Sequence, residues 1–409
     1  MANLTGKFIS AISEPSGMWE KLIMAFHSGI HNYAWAVIVF TIVLKLILLP
    51  LDFLNKYITQ KNTKIQAIIQ PEVAKIQKQY GNNKQLVNQK TMELYKKNNY
   101  NVVGSCVVMI VNLVLTLVIF ITLFSGLNSM ASYKIAYQYN EIQKSYYSLE
   151  DYDVDNIVDV YKGYYVEFAN NNLDEQGNFD SALAETYAKE KTKDTLSNKG
   201  ASEEAVAVKN ERALNRYNEV KESWLWVENI WKSDTPWSNS VASFNEYLSG
   251  ARASFTETTF KLSEEENAKT VTLSADSLKE LAEVEYNTIM DPIRDSAGRA
   301  NGYLIIVILA VGLNLISVLL TQGKLKFKRK KMEDPAQPKQ PGGWLMMILI
   351  PGLMLYITLT YNTVFALYIF ASSLVGILTT PLINYFVKLL ENRKSKKQPK
   401  ETVDYSRKK

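Results

Sequence analysis

Tyr33 to Leu51 reads YAWAVIVFTIVLKLILLPL. It is an apolar run of about the 20 residues needed to cross a bilayer, interrupted by one charge, Lys45. A lysine near the middle of a span costs about 2.5 to 3.5 kcal/mol on insertion scales. Such residues are retained where they face water, a partner or a polar cavity, so Lys45 is a candidate functional residue. The competing reading is snorkelling toward the cytoplasmic interface, with Asp52 seven residues on, about 10 Å along a helix.

Working outward, apolar runs of similar length occur at 102–124, 303–321, 344–361 and 364–387, which with 33–54 makes five spans. Lysine and arginine near span ends set orientation. They crowd residues 55–101, the KLKFKRKK run at Lys324 to Lys331, and the tail that ends in Arg407, Lys408 and Lys409. Residues 125–300 carry roughly 31 acidic against roughly 18 basic residues, the reverse of the chain's formal net charge of +5. All basic segments are cytoplasmic if the N-terminus is outside. The expectation is an all-α, polytopic membrane protein. It comprises an outer interfacial amphipathic helix (1–32), five transmembrane helices, a cytosolic basic hairpin (55–101), an acidic extracytoplasmic helical insertion (125–300), a basic cytosolic loop (322–343) and a basic cytosolic tail (388–409).

Within these segments the pattern is mostly helical. Met18, Leu22, Phe26 and Ile30 recur every four residues, as on a surface helix. Gly81, Asn82 and Asn83 mark a turn between two helical arms. On those arms Ile65, Ile68, Ile69, Val73 and Ile76 can face Leu86, Met92 and Leu94. In the acidic insertion, Met130 to Ser148, Phe179 to Trp231 with a break near Asn198 to Ala201, and Ser274 to Met290 read as helices. Ser274 is positioned to cap the last of them. Tyrosines at 133, 137, 139, 146, 147, 152, 161, 164 and 165 suit the packing of a small helical domain better than a saccharide or partner surface.

Chemistry of the enzymatic kind finds little support. The lone cysteine, Cys106, excludes an internal disulfide and a Cys-based metal site, and reads as a small buried hydrophobe. The only histidines, His27 and His31, have no carboxylate cluster beside them. Hydrolase elbows, phosphate loops and paired catalytic carboxylates are absent, so no cofactor, metal or catalytic residue is expected and the chain is not read as an enzyme. Basic residues are dispersed without RNA-binding aromatic motifs, which excludes specific nucleic-acid recognition. The first 30 residues lack a signal-peptide core, leaving the first span to act as its own insertion signal.

Assembled in order, these features resemble the YidC/Oxa/Alb family of membrane protein insertases. Asn32 to Leu51 resembles the family's first core span, with Lys45 where relatives carry a basic residue, usually arginine, followed by Pro50 and Leu51. In the hairpin, Gln70, Pro71 and Glu72, then Tyr80, then Leu94 and Tyr95 within MELYK resemble family motifs. Asn101, Gly104 and Cys106 resemble the start of the second span, with Val102 and Val108 in place of prolines and Asn112 in place of a glutamine. SWLWVENIWKSDTP, Ser223 to Pro236, resembles the family's Phe-Leu-Trp-Ile motif, and ALYIFASS, Ala366 to Ser373, its last span. Asn362 and Ile369 stand there for a proline and a tryptophan.

The resemblance implies a helix bundle enclosing a groove open to cytosol and lipid. Lys45 would attract an acidic tail, with Thr41, Asn112 and Ser373 as candidate polar lining. Nascent membrane proteins and membrane lipid are the implied partners, and the basic cytosolic segments are offered to the Sec translocon and the ribosome. A membrane scaffold or assembly factor acting through its extracytoplasmic domain, on a degenerate insertase core, is the alternative.

Overall fold

The computed structural model describes residues 14–98, 102–148, 155–176, 178–251, 255–262, 269–321 and 343–395. Predominantly helical, these residues form two compact units. Residues 322–342 of the expected basic loop and 396–409 of the expected tail lie outside the described residues, as does Tyr152, while 388–395 continue the last helix.

The first unit contains residues up to Ala34, Phe124–Ile306 and Thr358–Phe365. It includes helix α1 (Met18–Ile30), whose Met18 and Leu22 are exposed while Ile23 and Glu20 are buried. The stripe at Met18 and Leu22 therefore points away from the protein, as an interfacial helix requires. Helix α2 (Tyr33–Tyr80) begins here, and α4 (Val102–Tyr147), interrupted by no turn after its apolar part, ends here. α3 is Lys84–Lys97.

The remaining helices of this unit are α5 (Asp155–Asn171), α6 (Ser181–Leu196), α7 (Glu203–Val220), α8 (Phe244–Ala251) and α9 (Ala275–Ala297). Their ends follow local chemistry: Asp180 accepts from Ala182 and Leu183 N–H, Ser202 from Ala205 N–H, and Ser274 from Ser277 N–H. The break between α6 and α7 falls at the expected place, and α9 runs past Pro292 to Ala297. The helix expected through Trp231 stops at Val220 instead. From there the backbone turns, with Trp224 and Val227 bridged and Leu225 at φ 53°. The alternation of tryptophans there is a turn pattern and not a helical one. Two short strands, β1 (Thr258–Lys261) and β2 (Thr270–Leu273), pair antiparallel with Phe260 opposite Val271.

Tyrosines fill this core. The rings of Tyr139, Tyr247 and Tyr286 lie 4.6 to 5.1 Å apart. Their hydroxyls need partners once buried: Tyr286 donates to Ala242 O at 3.0 Å and Tyr217 to Ser240 Oγ at 3.2 Å. Of the tyrosines clustered in the sequence, Tyr139, Tyr146, Tyr161 and Tyr165 are buried in this core, and Tyr147 and Tyr164 pack against it.

The second unit contains Trp35–Leu123, Val307–Ile357 and Ala366 onward. It holds most of α2, the first half of α4, all of α3, and most of α10 (Ile305–Thr321), α11 (Gly343–Thr360) and α12 (Thr363–Ser395). Among the described residues three helices are long and apolar enough to cross a membrane, within Tyr33–Asn62, Ile110–Tyr147 and Thr363–Leu390, and two shorter apolar helices cover Ile305–Leu320 and Ile348–Thr360. α2 continues without a break from its span into the hairpin arm, and Asn83 caps α3 by accepting from Leu86 N–H at 3.1 Å. In the hairpin, Ile69 is buried and Leu86 and Leu94 are half-buried, but Met92 is exposed. The inner stripe of α3 is Val87, Thr91, Leu94 and Tyr95, which helical spacing places together and which leaves Met92 on the other side.

Candidate functional site

On α2, Val37, Ile38 and Thr41 are buried, whereas Ile42, Val43, Leu46 and Ile47 are exposed. Lys45 is half-buried, and lies one turn beyond Thr41 on the protein-facing arc. Thr41 satisfies its hydroxyl locally by donating to Val37 O at 2.6 Å. Among the described residues no carboxylate lies within ion-pair distance of Lys45, and Asp52 is its charged neighbour at longer range. Pro50 lacks an N–H, which leaves the Leu46 carbonyl without its helical donor close to the lysine.

The other candidate lining residues lie in the same compact unit. Asn112 is half-buried on a narrow seam of α4 with Ile119 and Leu123, while most of that span is exposed. Ser373 is buried on α12. Thr41, Lys45, Asn112 and Ser373 make no hydrogen bond or ion pair with one another among the described residues. In the hairpin, Gln70, Pro71, Glu72 and Tyr80 are exposed and Leu94 and Tyr95 half-buried, so the motif residues on α2 present a surface more than they fill a core.

A further polar residue escapes pattern reading. Asn314, mid-way along α10, buries its Oδ1 without a hydrogen-bond partner among the described residues. A Cβ added at Gly376 of α12 would lie 2.9 Å from Ser317 Oγ of α10, so these helices cross closely there. One turn earlier on each helix stand Asn314 and Ser373. The only sequence signal for Asn314 is an amide inside an apolar run, and short spans tolerate such residues for many reasons.

The first residues of α10 and α12 are held by the loop after α7, within the first unit. Asp234, fully buried, accepts from Tyr303 N–H at 2.8 Å and Ile306 N–H at 2.7 Å. A carboxylate at a helix N-terminus satisfies orphan donors and complements the helix dipole. The Lys232 carbonyl accepts from Thr363 N–H at 2.8 Å and Thr363 Oγ1 at 2.6 Å, and the Ile230 carbonyl from Val364 N–H at 3.2 Å. Asn301 ties the loop together, donating to the carbonyls of Asn229 and Ser233 and accepting from Asn229 N–H. The first residues of both helices therefore start from one clamp.

Two ion pairs brace the clamp. Lys134 of α4 lies 2.9 Å from Glu222 and 4.2 Å from the Tyr33 ring centroid. Burial pushes the Glu222 carboxyl up and Lys134 pulls it back, leaving it above its ordinary value. Lys232 donates to Glu246 at 3.2 Å. Burial holds Lys232 below its ordinary value despite Glu246. His27 stacks on Tyr33 with ring centroids 3.6 Å apart, and burial, Lys134 and His31 hold its imidazole low.

The family described as 60Kd inner membrane protein matches residues 25–166, which cover Lys45, the hairpin and the apolar part of α4. The match is to that family's model over residues 25–166, about a third of the chain. Similar relatives include the membrane protein insertase YidC of Fusobacterium nucleatum, 38% identical over 96 residues, 24% of this chain and 45% of that one. YidC of Leptospira interrogans is 34% identical over 127 residues, 31% of this chain and 19% of that one. YidC of Clostridium tetani is 43% identical over 76 residues, 19% of this chain and 33% of that one. The chain thus spans less than half the length of these relatives. No solved structure matches.

Proposed function

We propose that the chain is a membrane protein insertase of the bacterial plasma membrane, with five spans, an outer N-terminus and a cytoplasmic C-terminus. The position of Lys45 carries this reading: a cation without an ion-pair partner among the described residues, on the protein-facing arc of an apolar helix. Moving a polar tail through about 30 Å of hydrocarbon leaves its backbone and charges unsolvated. A polar recess part-way in shortens that dry path. Lys45 attracts the acidic tail of a nascent membrane protein, Thr41, Asn112 and Ser373 offer polar lining, and the client's apolar span leaves sideways into lipid by partitioning. The hairpin's exposed Gln70, Pro71, Glu72 and Tyr80 form its cytosolic contact surface, toward a Sec translocon or a ribosome.

The test replaces Lys45 with Ala, Glu and Arg and measures translocation of an acidic-tailed, single-span client. Arg keeps the charge and retains activity, although its planar fork differs from the lysine's point charge. Glu repels the tail and loses activity. Equal activity in all three refutes the charged-groove mechanism.

The scaffold reading has one observation in its favour, the separate tyrosine-rich core of the first unit. Depleting the protein separates the two: loss of newly made small membrane proteins supports the insertase, and a defect confined to one surface complex supports the scaffold.

A further inference from the structure

The clamp presents large apolar side chains to the outside. Leu225 is 67% exposed, Trp237 68% and Tyr303 62%. Backbone hydrogen bonds to Asn301 tie together the three segments that carry them. Glu228 N–H, three residues after Leu225, donates to Asn301 O; Asn301 N–H donates to Ser238 O, next to Trp237; and Tyr303 is two residues on. Tyr303 leads through the exposed Ile305 into the apolar helix α10.

Backbone conformation adds an independent observation. Leu225 has φ 53° and Leu304 φ 64°, the left-handed region that non-glycine residues avoid. That conformation costs on the order of 1 to 2 kcal/mol for an L-residue. A leucine that is both strained and mostly exposed contributes nothing to the fold by itself, so a partner outside the chain is indicated.

Charge identifies the partner. Ser223–Val227, Thr235–Val241 and Ala300–Ile306 contain no Asp, Glu, Lys or Arg, although they belong to the strongly acidic insertion and the residues that close it. An acidic surface is repelled by an anionic bilayer. A charge-free rim with one tryptophan, one tyrosine and one leucine suits the boundary between headgroups and acyl chains, where amphipathic aromatic rings collect.

We propose that Leu225, Trp237 and Tyr303 form a lipid-inserted foot, which seats the clamp on the outer leaflet and fixes the height at which α10 and α12 enter the membrane. The foot depends on the membrane-spanning reading of α10 and not on insertase activity.

The test uses the full chain with Cys106→Ser and single cysteines at Leu225, Trp237 or Tyr303, each carrying a nitroxide label. Controls are placed at Leu173 and Leu183, exposed apolar residues elsewhere in the same unit. In vesicles of phosphatidylethanolamine and phosphatidylglycerol, collision with oxygen is compared with collision with a water-soluble nickel chelate. The expected oxygen-to-nickel ratio at the three foot positions is at least about threefold above the controls. A ratio equal to the controls overturns the proposal, and so does dipolar broadening between labels that reveals a second copy on the surface. Thermal unfolding of each labelled variant within about 2 °C of the parent establishes that the fold is retained. A variant that fails is replaced by bromolipid quenching of tryptophan, comparing the parent with Trp237→Phe: a smaller quenched fraction in the variant supports the foot, and an unchanged fraction overturns it.

Discussion

Gly302→Ala tests the clamp most directly. A Cβ at this position would fall 1.8 Å from Asp234 Oδ1 and 3.0 Å from its Cα. The carboxylate must rotate away from the new Cβ, and the backbone must give by a few tenths of an ångström at the Cα. Rotation breaks the hydrogen bonds from Tyr303 and Ile306 N–H to a buried carboxylate. Each hydrogen bond to a charged group is worth about 1.5 to 3 kcal/mol. Allowing for partial relaxation, the expected loss is about 3 to 5 kcal/mol, which lowers the midpoint by roughly 10 °C for a unit of this size. The assay is thermal unfolding of the detergent-solubilised chain followed by tryptophan fluorescence, for which Trp231, buried beside Tyr33, is a reporter. Because the steric partner is Asp234, the two sites must be coupled. In an Asp234→Ala background Gly302→Ala should cost less than about 1 kcal/mol. A single variant within about 2 °C of the parent, or full additivity with Asp234→Ala, refutes the clamp.

Removing one partner of the Lys134–Glu222 pair, as in Lys134→Met, is expected to cost about 3 kcal/mol, the low end for buried pairs because the side chains keep 13% and 24% exposure. The double variant Lys134→Met, Glu222→Leu should recover to within about 1 kcal/mol of the parent, measured by the same unfolding assay. Glu246 is held below its ordinary value of 4.5: burial raises it, but Lys232 and the Ser243 donors outweigh burial. A depressed carboxyl contributes stability above its unfolded pKa that is lost as pH falls through the folded one. The parent should therefore lose stability more steeply than Glu246→Gln as pH drops below 4.5, and parallel curves would refute the assignment. Asn314→Leu removes a buried, unpartnered amide oxygen and should leave the melting midpoint equal or higher while lowering insertion of an acidic-tailed client. A fall in stability, with insertion intact, would make Asn314 structural.

The apolar helices, the Gly81 to Asn83 turn, the α6–α7 break and the Ser274 cap were legible in the sequence. Each is decided within one or two helical turns, by hydrophobic period and by which side chain can reach a nearby N–H. Lys45 was legible for the same reason, as a charge its own helix cannot solvate. Whether it faced protein or lipid was not, since the exposed arc of α2 depends on what packs against the other side. Helical period also misread residues 221–231, where tertiary partners take the backbone groups a helix would have used. The clamp lay beyond sequence reasoning altogether. Asn301 reaches partners 72 positions away, and Thr363 bonds a carbonyl 131 positions away. Polar residues such as Asp234 and Asn301 look alike in a surface loop and in a buried junction. Only folding, which removes them from water and leaves each with one available set of donors and acceptors, determined which they were.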